Sequence, residues 1–307
     1  MAKYDVLVIN FSRCSPTSTI ASNRIAIMLT ELTGGFLVDS EDSANEAMSR
    51  NWRHIFVVNG LWGFCSYRQQ VLSLIDKVMG HFYWCSNDYA IKMPGPLKKK
   101  RHVRVANFDN FDAHPAHVYM NWNQITFNAS SKLEPNDCPR PGLSYYGAFR
   151  QDRLPSFYRY FVKAPYDVNI WTSTKGRKHW QALDESIAVH GPLGDPMRDP
   201  NNFEASIYIG DEHSRLIYHS PANRFYELLS AGCFILFCRS TLATFMRAGV
   251  RLSQDWLVST NGDVADALRA RASLVIDQRE VLFKRAPDYR LNLMEELRFF
   301  LSTQSII

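Results

Sequence analysis

Apolar runs of strand length alternate with stretches of helical periodicity along the first half of the chain. The strand-like runs are short, rich in β-branched and aromatic residues, and lie at residues 4–10, 35–39, 54–59 and 82–85. Between them, residues 17–32 repeat apolar positions at helical spacing, and Ser66 precedes a second such pattern that continues to Gly80. Strands that alternate with helices in this way predict a parallel sheet covered by helices.

The same alternation starts again in the second half of the chain. A proline-rich, turn-forming segment at residues 131–141 marks the best boundary between the two halves. Strand-like runs follow near residues 145, 168–172, 186–190, 205–210 and 234–237, and a last helical pattern covers residues 289–301. The pattern predicts an α/β protein with two facing Rossmann-like domains. We expect them at residues 1–140 and 141–286, with a C-terminal helix at 287–307 that returns to the first domain.

The composition is that of an ordinary globular protein. Of the 307 residues, 46% are hydrophobic and 21% charged, and such a composition indicates neither a disordered nor a fibrous chain. No apolar run approaches the roughly 20 residues of a membrane-spanning helix, and no signal-peptide pattern opens the chain. We therefore expect a cytoplasmic protein without a membrane partner. The six cysteines show no CxxC pair or zinc spacing, and we expect them to be buried thiols.

The net charge of +5 is mild, but it is concentrated in Lys98, Lys99, Lys100 and Arg101. Such a run fits a solvated basic loop. It also fits a phosphate-binding patch, because clustered cations gain free energy by displacing counterions from a polyanion. Charge alone does not decide between the two interpretations.

The turn after the first predicted strand, residues 10–17, is polar and lacks the G-x-G-x-x-G motif, and no P-loop occurs in the chain. A dinucleotide-dependent oxidoreductase is therefore disfavoured, because the close approach of backbone to a pyrophosphate usually needs those glycines.

The most informative stretch is residues 218–236, where a short helix is predicted to precede an apolar strand. Ser220 and Pro221 are expected to open this helix. Arg224 and Glu227 stand three residues apart, so they lie on one face of the helix near its positive N-terminal end. They fit a surface ion pair. They equally fit a nucleotide-sugar site, in which a cation binds the diphosphate and a carboxylate accepts the ribose hydroxyls.

This helix-borne Arg-x-x-Glu, followed by a Ser-Ala-Gly turn and an apolar strand, resembles the donor-site element of GT-B glycosyltransferases, whose glutamate holds the ribose. Residues 146–153, a strand that ends in Gly147 and leads to arginines, are similar to the first turn of the family's C-terminal domain, where basic side chains meet the diphosphate. The two arginines also fit a solvated helix face, and a plain glycine-rich turn is the simpler explanation of residues 190–195. The resemblance implies that the donor-binding residues are Arg150, Arg153, Lys175, His190, Gly191, Tyr218, Arg224 and Glu227.

A closer resemblance is to the T-even phage DNA glucosyltransferases and related phage enzymes that glycosylate hydroxymethylated bases. In these proteins a strand near the end of the N-terminal domain runs into an aspartate and then a proline, as residues 82–94 do here with Asp88 and Pro94. The resemblance implies that Asp88 is the general base, although an aspartate after a strand is also a common turn or helix-capping residue. It further implies DNA contacts by Arg13, Lys98, Lys99, Lys100 and Arg101.

These features together predict transfer of a sugar from a nucleotide donor, expected to be a UDP-sugar, to a hydroxymethylated base in double-stranded phage DNA, in the cytoplasm of an infected bacterial host. No D-x-D motif is present, so no cofactor is expected to be required, while a divalent metal stays compatible with the donor. Two alternatives stay open. One is the same chemistry on a polysaccharide, lipid or protein acceptor, and the other is a non-catalytic nucleic-acid-binding protein with a degenerate GT-B fold.

Overall fold

The chain divides into two compact units in the computed structural model. The first unit combines Met1–Thr126 with Leu291–Ile307, and the second is Phe127–Arg290. The structure describes residues 5–11, 19–58, 65–86, 93–106, 117–122, 125, 139–196, 198–212, 215, 221–283 and 286–307.

The first unit is built around a parallel sheet with the strand order β2-β1-β3-β4-β5-β6. Its strands are β1 (Val6–Asn10), β2 (Phe36–Val38), β3 (His54–Val58), β4 (His81–Ser86), β5 (His102–Ala106) and β6 (His117–Tyr119). Its helices are α1 (Thr19–Thr33), α2 (Glu41–Ala47), α3 (Arg68–Lys77), α4 (Gly95–Lys98) and, near the end of the chain, α11 (Ala286–Thr303).

Both faces of this first sheet are buried, as the continuous apolar runs of its strands require. Alternate residues of each strand join two separate cores. Leu7 and Ile9 of β1 pack on the side of α2 and α3. Val6 and Val8 pack on the other side, where Ile25 of α1 and a group from α11 complete the core; that group is Leu297, Phe300 and Leu301. From Leu291 onward, the last helix of the chain is thus part of the first unit.

The second unit contains a second parallel sheet, with the strand order β12-β11-β10-β7-β8-β9. Its strands are β7 (Arg140–Tyr146), β8 (Val168–Trp171), β9 (Ala188–His190), β10 (Phe203–Tyr208), β11 (Ile235–Cys238) and β12 (Leu257–Val258). Its helices are α5 (Leu154–Phe161), α6 (Thr174–Leu183), α7 (Asn223–Ser230), α8 (Leu242–Arg247), α9 (Asn261–Arg269) and α10 (Arg271–Gln278).

The strand order of the second sheet reverses between β7 and β10. After β7 the chain builds β8 and β9 on one side, and it then returns to place β10 on the other side of β7. In open parallel sheets, ligands bind outside the carboxyl ends of the strands at such a reversal, because the two connections diverge there and leave a crevice. This position is therefore where a site in the second unit is expected.

The predicted α/β class, with two Rossmann-like domains and a returning C-terminal helix, is confirmed. Two predicted helix starts lie too early, by one residue for α3 and by two residues for α7. Helix α3 begins at Arg68 because the hydroxyl of Tyr67 donates to the carbonyl of Asn10 at 2.7 Å, which holds the preceding turn against β1. Helix α7 begins at Asn223 because Ala222 stays extended and its N–H donates to the hydroxyl of Tyr208 at 2.8 Å.

The structure also bears on membrane helices and on the cysteines. Among the described residues, no helix combines the length and the apolar character that crossing a membrane requires. The four described cysteines, Cys65, Cys85, Cys233 and Cys238, are buried free thiols.

Candidate functional site

Gly147, the first residue after β7, lies at the reversal point of the second sheet. Its φ of +130° is a backbone conformation that side-chain-bearing residues rarely adopt. A Cβ atom at this position would overlap the guanidinium group of Arg224, which fills the space that a side chain would occupy. The end of β7 and the first turn of α7 therefore meet at a contact that only glycine permits.

The guanidinium of Arg224 is held against two consecutive tyrosines of β7. Its central carbon lies 4.4 Å from the ring centroid of Tyr145 and 5.2 Å from that of Tyr146. Cation–π contacts of this kind are worth about 0.5–2 kcal/mol, depending on how far water is excluded. The Nε atom of Arg224 is buried and has no hydrogen-bond partner among the described residues. The cation is thus fixed in place mainly by aromatic faces.

Glu227 is held on the same face of α7 by Tyr146. The buried hydroxyl of Tyr146 donates to the carboxylate of Glu227 at 2.8 Å and to the carbonyl of Arg224 at 3.3 Å. Burial, reinforced by the negative charge of Glu227, raises the pKa of Tyr146 well above its usual value. Tyr146 therefore stays protonated and acts as a donor that orients the carboxylate.

The two arginines that follow β7 have different environments. Arg150 is exposed and forms an ion pair with Asp152 at 3.2 Å. Arg153 is only 7% exposed, and it donates to the hydroxyl of Tyr145 at 2.9 Å and to the carboxylate of Asp211 at 3.3 Å. Burial alone would lower the pKa of Arg153, but Tyr145 and Asp211 more than offset it, so the pKa lies above its usual value.

The remaining predicted donor residues of the second unit do not all join this group. Lys175 is exposed in the first turn of α6, which follows β8. His190 ends β9 and is stacked on Trp171 at 4.6 Å, and it bonds to Asn169 at 3.1 Å. Burial, with help from nearby arginines, lowers the pKa of His190. Gly191 is exposed beside it, and Tyr218 lies outside the described residues.

A cavity of about 230 Å³ opens near His190, between the sheet and the segment that joins β9 to β10. It is lined by Arg140, Trp171, Pro192, Leu193, Gly194, Asp199, Asn202 and Phe203. None of the lining residues is a predicted donor residue, and none belongs to the Arg224–Glu227 group.

In the first unit the basic run falls at the edge of the sheet where the strands begin. It spans the end of α4 and the residues before β5. The ammonium of Lys100 donates to the carbonyls of Asp76 and Val78 at 2.8 and 3.1 Å, so it closes the C-terminal end of α3. The side chains of Lys98, Lys99 and Arg101 are exposed. Arg13 and Asp88 lie outside the described residues.

The described residues do not form a resident metal site. No three His, Cys, Asp or Glu side chains among them come together as ligands for an ion. Asp211, a carboxylate at the reversal point, is paired with Arg153. Mg²⁺ and Mn²⁺ need few protein ligands when substrate phosphates supply the others, but these residues identify no such position.

Sequence reasoning missed three residues of this group. Tyr145 contacts Arg224, Tyr146 donates to Glu227, and Asp211 accepts from Arg153, and in each case the two partners are far apart in the sequence. Tyrosines in an apolar strand give no signal of such a role. Asp211 has a weak one, since it is an acidic residue directly after a predicted strand.

Two six-stranded parallel sheets with surrounding helices match the two-domain GT-B fold. No protein-family model matches the chain, and no curated protein matches it by sequence. Solved structures do match. The structure of T4 phage β-glucosyltransferase, described with its substrate binding and proposed catalytic mechanism, superposes with a TM-score of 0.71 at 13% identity, over 97% of this chain and 98% of that one.

Two further structures give similar values. One is the T4 phage protein in complex with UDP and Mn²⁺, and the other is a DNA-modifying β-glucosyltransferase described with and without its substrate uridine diphosphoglucose. Each has a TM-score of 0.69 at 12% identity and covers 97% of this chain and 98% of its own. The resemblance to the T-even phage DNA glucosyltransferases is confirmed at the level of the fold.

Proposed function

We propose that this chain is a glycosyltransferase that takes a sugar from a UDP-sugar and transfers it to a hydroxymethylated base in double-stranded DNA. The observation that carries this proposal is the Arg224–Glu227 pair at the reversal point of the second sheet, oriented by two tyrosines of β7. A nucleotide-sugar needs a cation for its diphosphate and a carboxylate for its ribose. Both are held here by contacts with the tyrosines of β7.

In this proposal Glu227 accepts hydrogen bonds from the ribose hydroxyls, and Tyr146 keeps the carboxylate in the required orientation. Arg224 and the exposed Arg150 bind the diphosphate and stabilise the negative charge that develops on it as the sugar leaves. Lys175, at the start of α6, adds a further cation for the phosphates. The chain has no glycine-rich phosphate loop, so arginine side chains take over the role that backbone N–H groups have in such loops.

Asp88 is proposed as the general base. It follows the last residue of β4 by two positions. Its carboxylate removes the proton from the hydroxyl of the acceptor, the oxygen attacks the anomeric carbon, and the bond from that carbon to the diphosphate breaks to release UDP. The fold supports DNA and UDP-glucose as substrates, because the matching structures are of a DNA-modifying enzyme whose substrate is uridine diphosphoglucose.

The donor half of the proposal is tested by titrating the protein with UDP in a calorimeter. Replacing Glu227 with Ala removes a charged acceptor of the ribose, and we expect the UDP affinity to fall by about 10- to 100-fold. Glu185, an exposed glutamate of the same unit, provides the control, since Glu185→Ala should leave the affinity unchanged. Unaltered UDP binding by folded Glu227→Ala would contradict the donor site.

The transfer half is tested with radiolabelled UDP-glucose and duplex DNA that contains hydroxymethylcytosine, with unmodified duplex as the comparison. Asp88→Asn keeps the size of the side chain but removes its ability to accept a proton, so turnover should fall by about 10²- to 10⁴-fold while UDP affinity stays the same. If Asp88 only caps a turn, Asn replaces it well and turnover stays near the parental value. Transfer to neither DNA would reject DNA as the acceptor.

A further inference from the structure

Arg153 is a charged side chain in the interior of the second unit, which is rare unless the charge is paired. It ends the short 3₁₀ helix Gln151–Arg153 that follows β7, and 7% of it is exposed. Its two terminal nitrogens bond to the hydroxyl of Tyr145 and to the carboxylate of Asp211. Both partners are themselves buried. The guanidinium is therefore buried and hydrogen-bonded to protein groups.

Asp211 connects this arginine to the neighbouring strand. It stands three residues after the end of β10, while Tyr145 is the second-last residue of β7. The pair between Arg153 and Asp211 thus ties together the ends of the two strands that flank the reversal point. Loss of Asp211 would leave the buried charge of Arg153 without its carboxylate counter-charge, so the two are expected to act as a unit.

Tyr145 extends the network to Arg224. Its ring is fully buried, and it is fixed on one side by Phe157, Phe161 and Trp180, whose centroids lie 5.4–5.6 Å away. The guanidinium of Arg224 lies on that ring at 4.4 Å. Burial would raise the pKa of Tyr145, yet the charges of Arg153 and Arg224 lower it overall, so both cations act on the same phenol. Any shift of the ring would displace Arg224.

We propose that Asp211 and Arg153 are positioning residues. Through the hydroxyl of Tyr145 they hold the ring on which Arg224 rests, and so they place Arg224 for the phosphates of a nucleoside diphosphate. This inference rests on the proposed donor site. It assigns Arg153 a role different from the one expected from sequence, which was direct contact with the diphosphate.

Asp211→Asn separates the two roles because they predict opposite effects. If Arg153 bound phosphate directly, loss of the nearby negative charge would leave the affinity for UDP unchanged or increase it. If Asp211 positions Arg224, the affinity for UDP falls by about tenfold, because the amide of Asn accepts a hydrogen bond from Arg153 but lacks the negative charge that holds it. We expect the fall. An unchanged or higher UDP affinity, measured by calorimetry, overturns the inference.

Asp211→Asn in an Arg224→Ala background tests whether Asp211 affects UDP binding through Arg224. Positioning through Arg224 predicts that Asp211→Asn then has little further effect on UDP affinity, whereas general loosening of the fold would weaken binding equally in both backgrounds. Equal losses overturn the inference. Should Asp211→Asn fail to fold, Tyr145→Phe removes only the hydroxyl and keeps the ring. Its expected effect is the same loss, again absent in the Arg224→Ala background.

The effect of Arg224→Ala alone distinguishes a wrong donor site from a wrong positioning network. If Arg224→Ala alone leaves UDP affinity unchanged, the donor site itself is wrong. If Arg224→Ala weakens UDP binding but Asp211→Asn and Tyr145→Phe do not, the donor site stands and only the positioning network is rejected.

Discussion

At the scale of single residues, Gly147 leaves the space that the guanidinium of Arg224 occupies. It combines a φ of +130° with direct contact to Arg224. Gly147→Ala would cost about 1–3 kcal/mol in backbone strain and would also push the guanidinium off the tyrosine rings. We expect a clear loss of UDP affinity in a protein that still folds, measured by calorimetry beside a thermal unfolding scan.

Gly262 provides the matched control for that substitution. It lies in α9 of the same unit, and a Cβ atom there would meet its nearest neighbour at 3.5 Å, an ordinary contact. Gly262→Ala should therefore leave UDP affinity as it is. A Gly147→Ala protein that binds UDP as well as the Gly262→Ala protein would show that the position of Arg224 is not set by Gly147.

At the scale of elements, the four basic residues at the end of α4 and before β5 differ in what their side chains do. Lys100 closes α3, whereas Lys98, Lys99 and Arg101 are exposed. Replacing these three with Ala should lower the affinity for duplex DNA and reduce its salt slope by about one for each lost phosphate contact. Lys100→Ala should instead lower the free energy of unfolding by about 1 kcal/mol and leave the salt slope unchanged.

The length of the duplex matters for this measurement. The run lies at the edge where β4 begins, while Asp88 follows the end of β4, and six strand residues span about 20 Å. The effect of the triple substitution should thus appear with a duplex that extends about ten base pairs beyond the modified base and vanish with one that ends close to it. An equal salt slope for parent and triple variant on the long duplex would remove the run from the DNA interface.

At the scale of the whole molecule, His54 makes stability depend on pH. Burial, followed by the charges of Arg53 and His81, lowers its pKa, while Asp5 acts weakly in the other direction. As the pH falls, His54 therefore takes up a proton near pH 6.5 in the unfolded chain but only at a lower pH in the folded chain. The contribution of neutral His54 to the free energy of unfolding is fully present above about pH 6.5. It is lost as the pH falls from there through the pKa of His54 in the folded chain.

This dependence is measured by thermal unfolding between about pH 7.5 and pH 5.5, where carboxylates hardly titrate. The unfolding temperature of the parent should fall across this window, and His54→Gln, which cannot take up a proton, should flatten the curve. His190, whose pKa is also lowered, accounts for part of the remaining slope. A parental slope in the His54→Gln protein would contradict the assignment.

Much of the fold can be predicted from the local pattern of apolar and polar residues in the sequence. The alternation of apolar runs with helical periodicity predicts two parallel sheets, because each pattern reflects which faces of a strand or helix are buried. The pairing of Arg224 with Glu227 is equally local, since helix geometry alone puts residues three apart on one face. Helix starts were predicted less well, because Tyr67 and Ala222 are held by hydrogen bonds to distant strands.

The sequence by itself thus determined the α/β class, the order of the elements and the helix that carries Arg224 and Glu227. Tertiary structure alone decided which charged residues are available to a ligand. Arg150 and Arg153 stand three residues apart, yet one is exposed and the other buried against Asp211, 58 residues away. The reason is physical. Periodicity reports the environment of a local segment, whereas the partner of a charge depends on which strand ends the fold brings together.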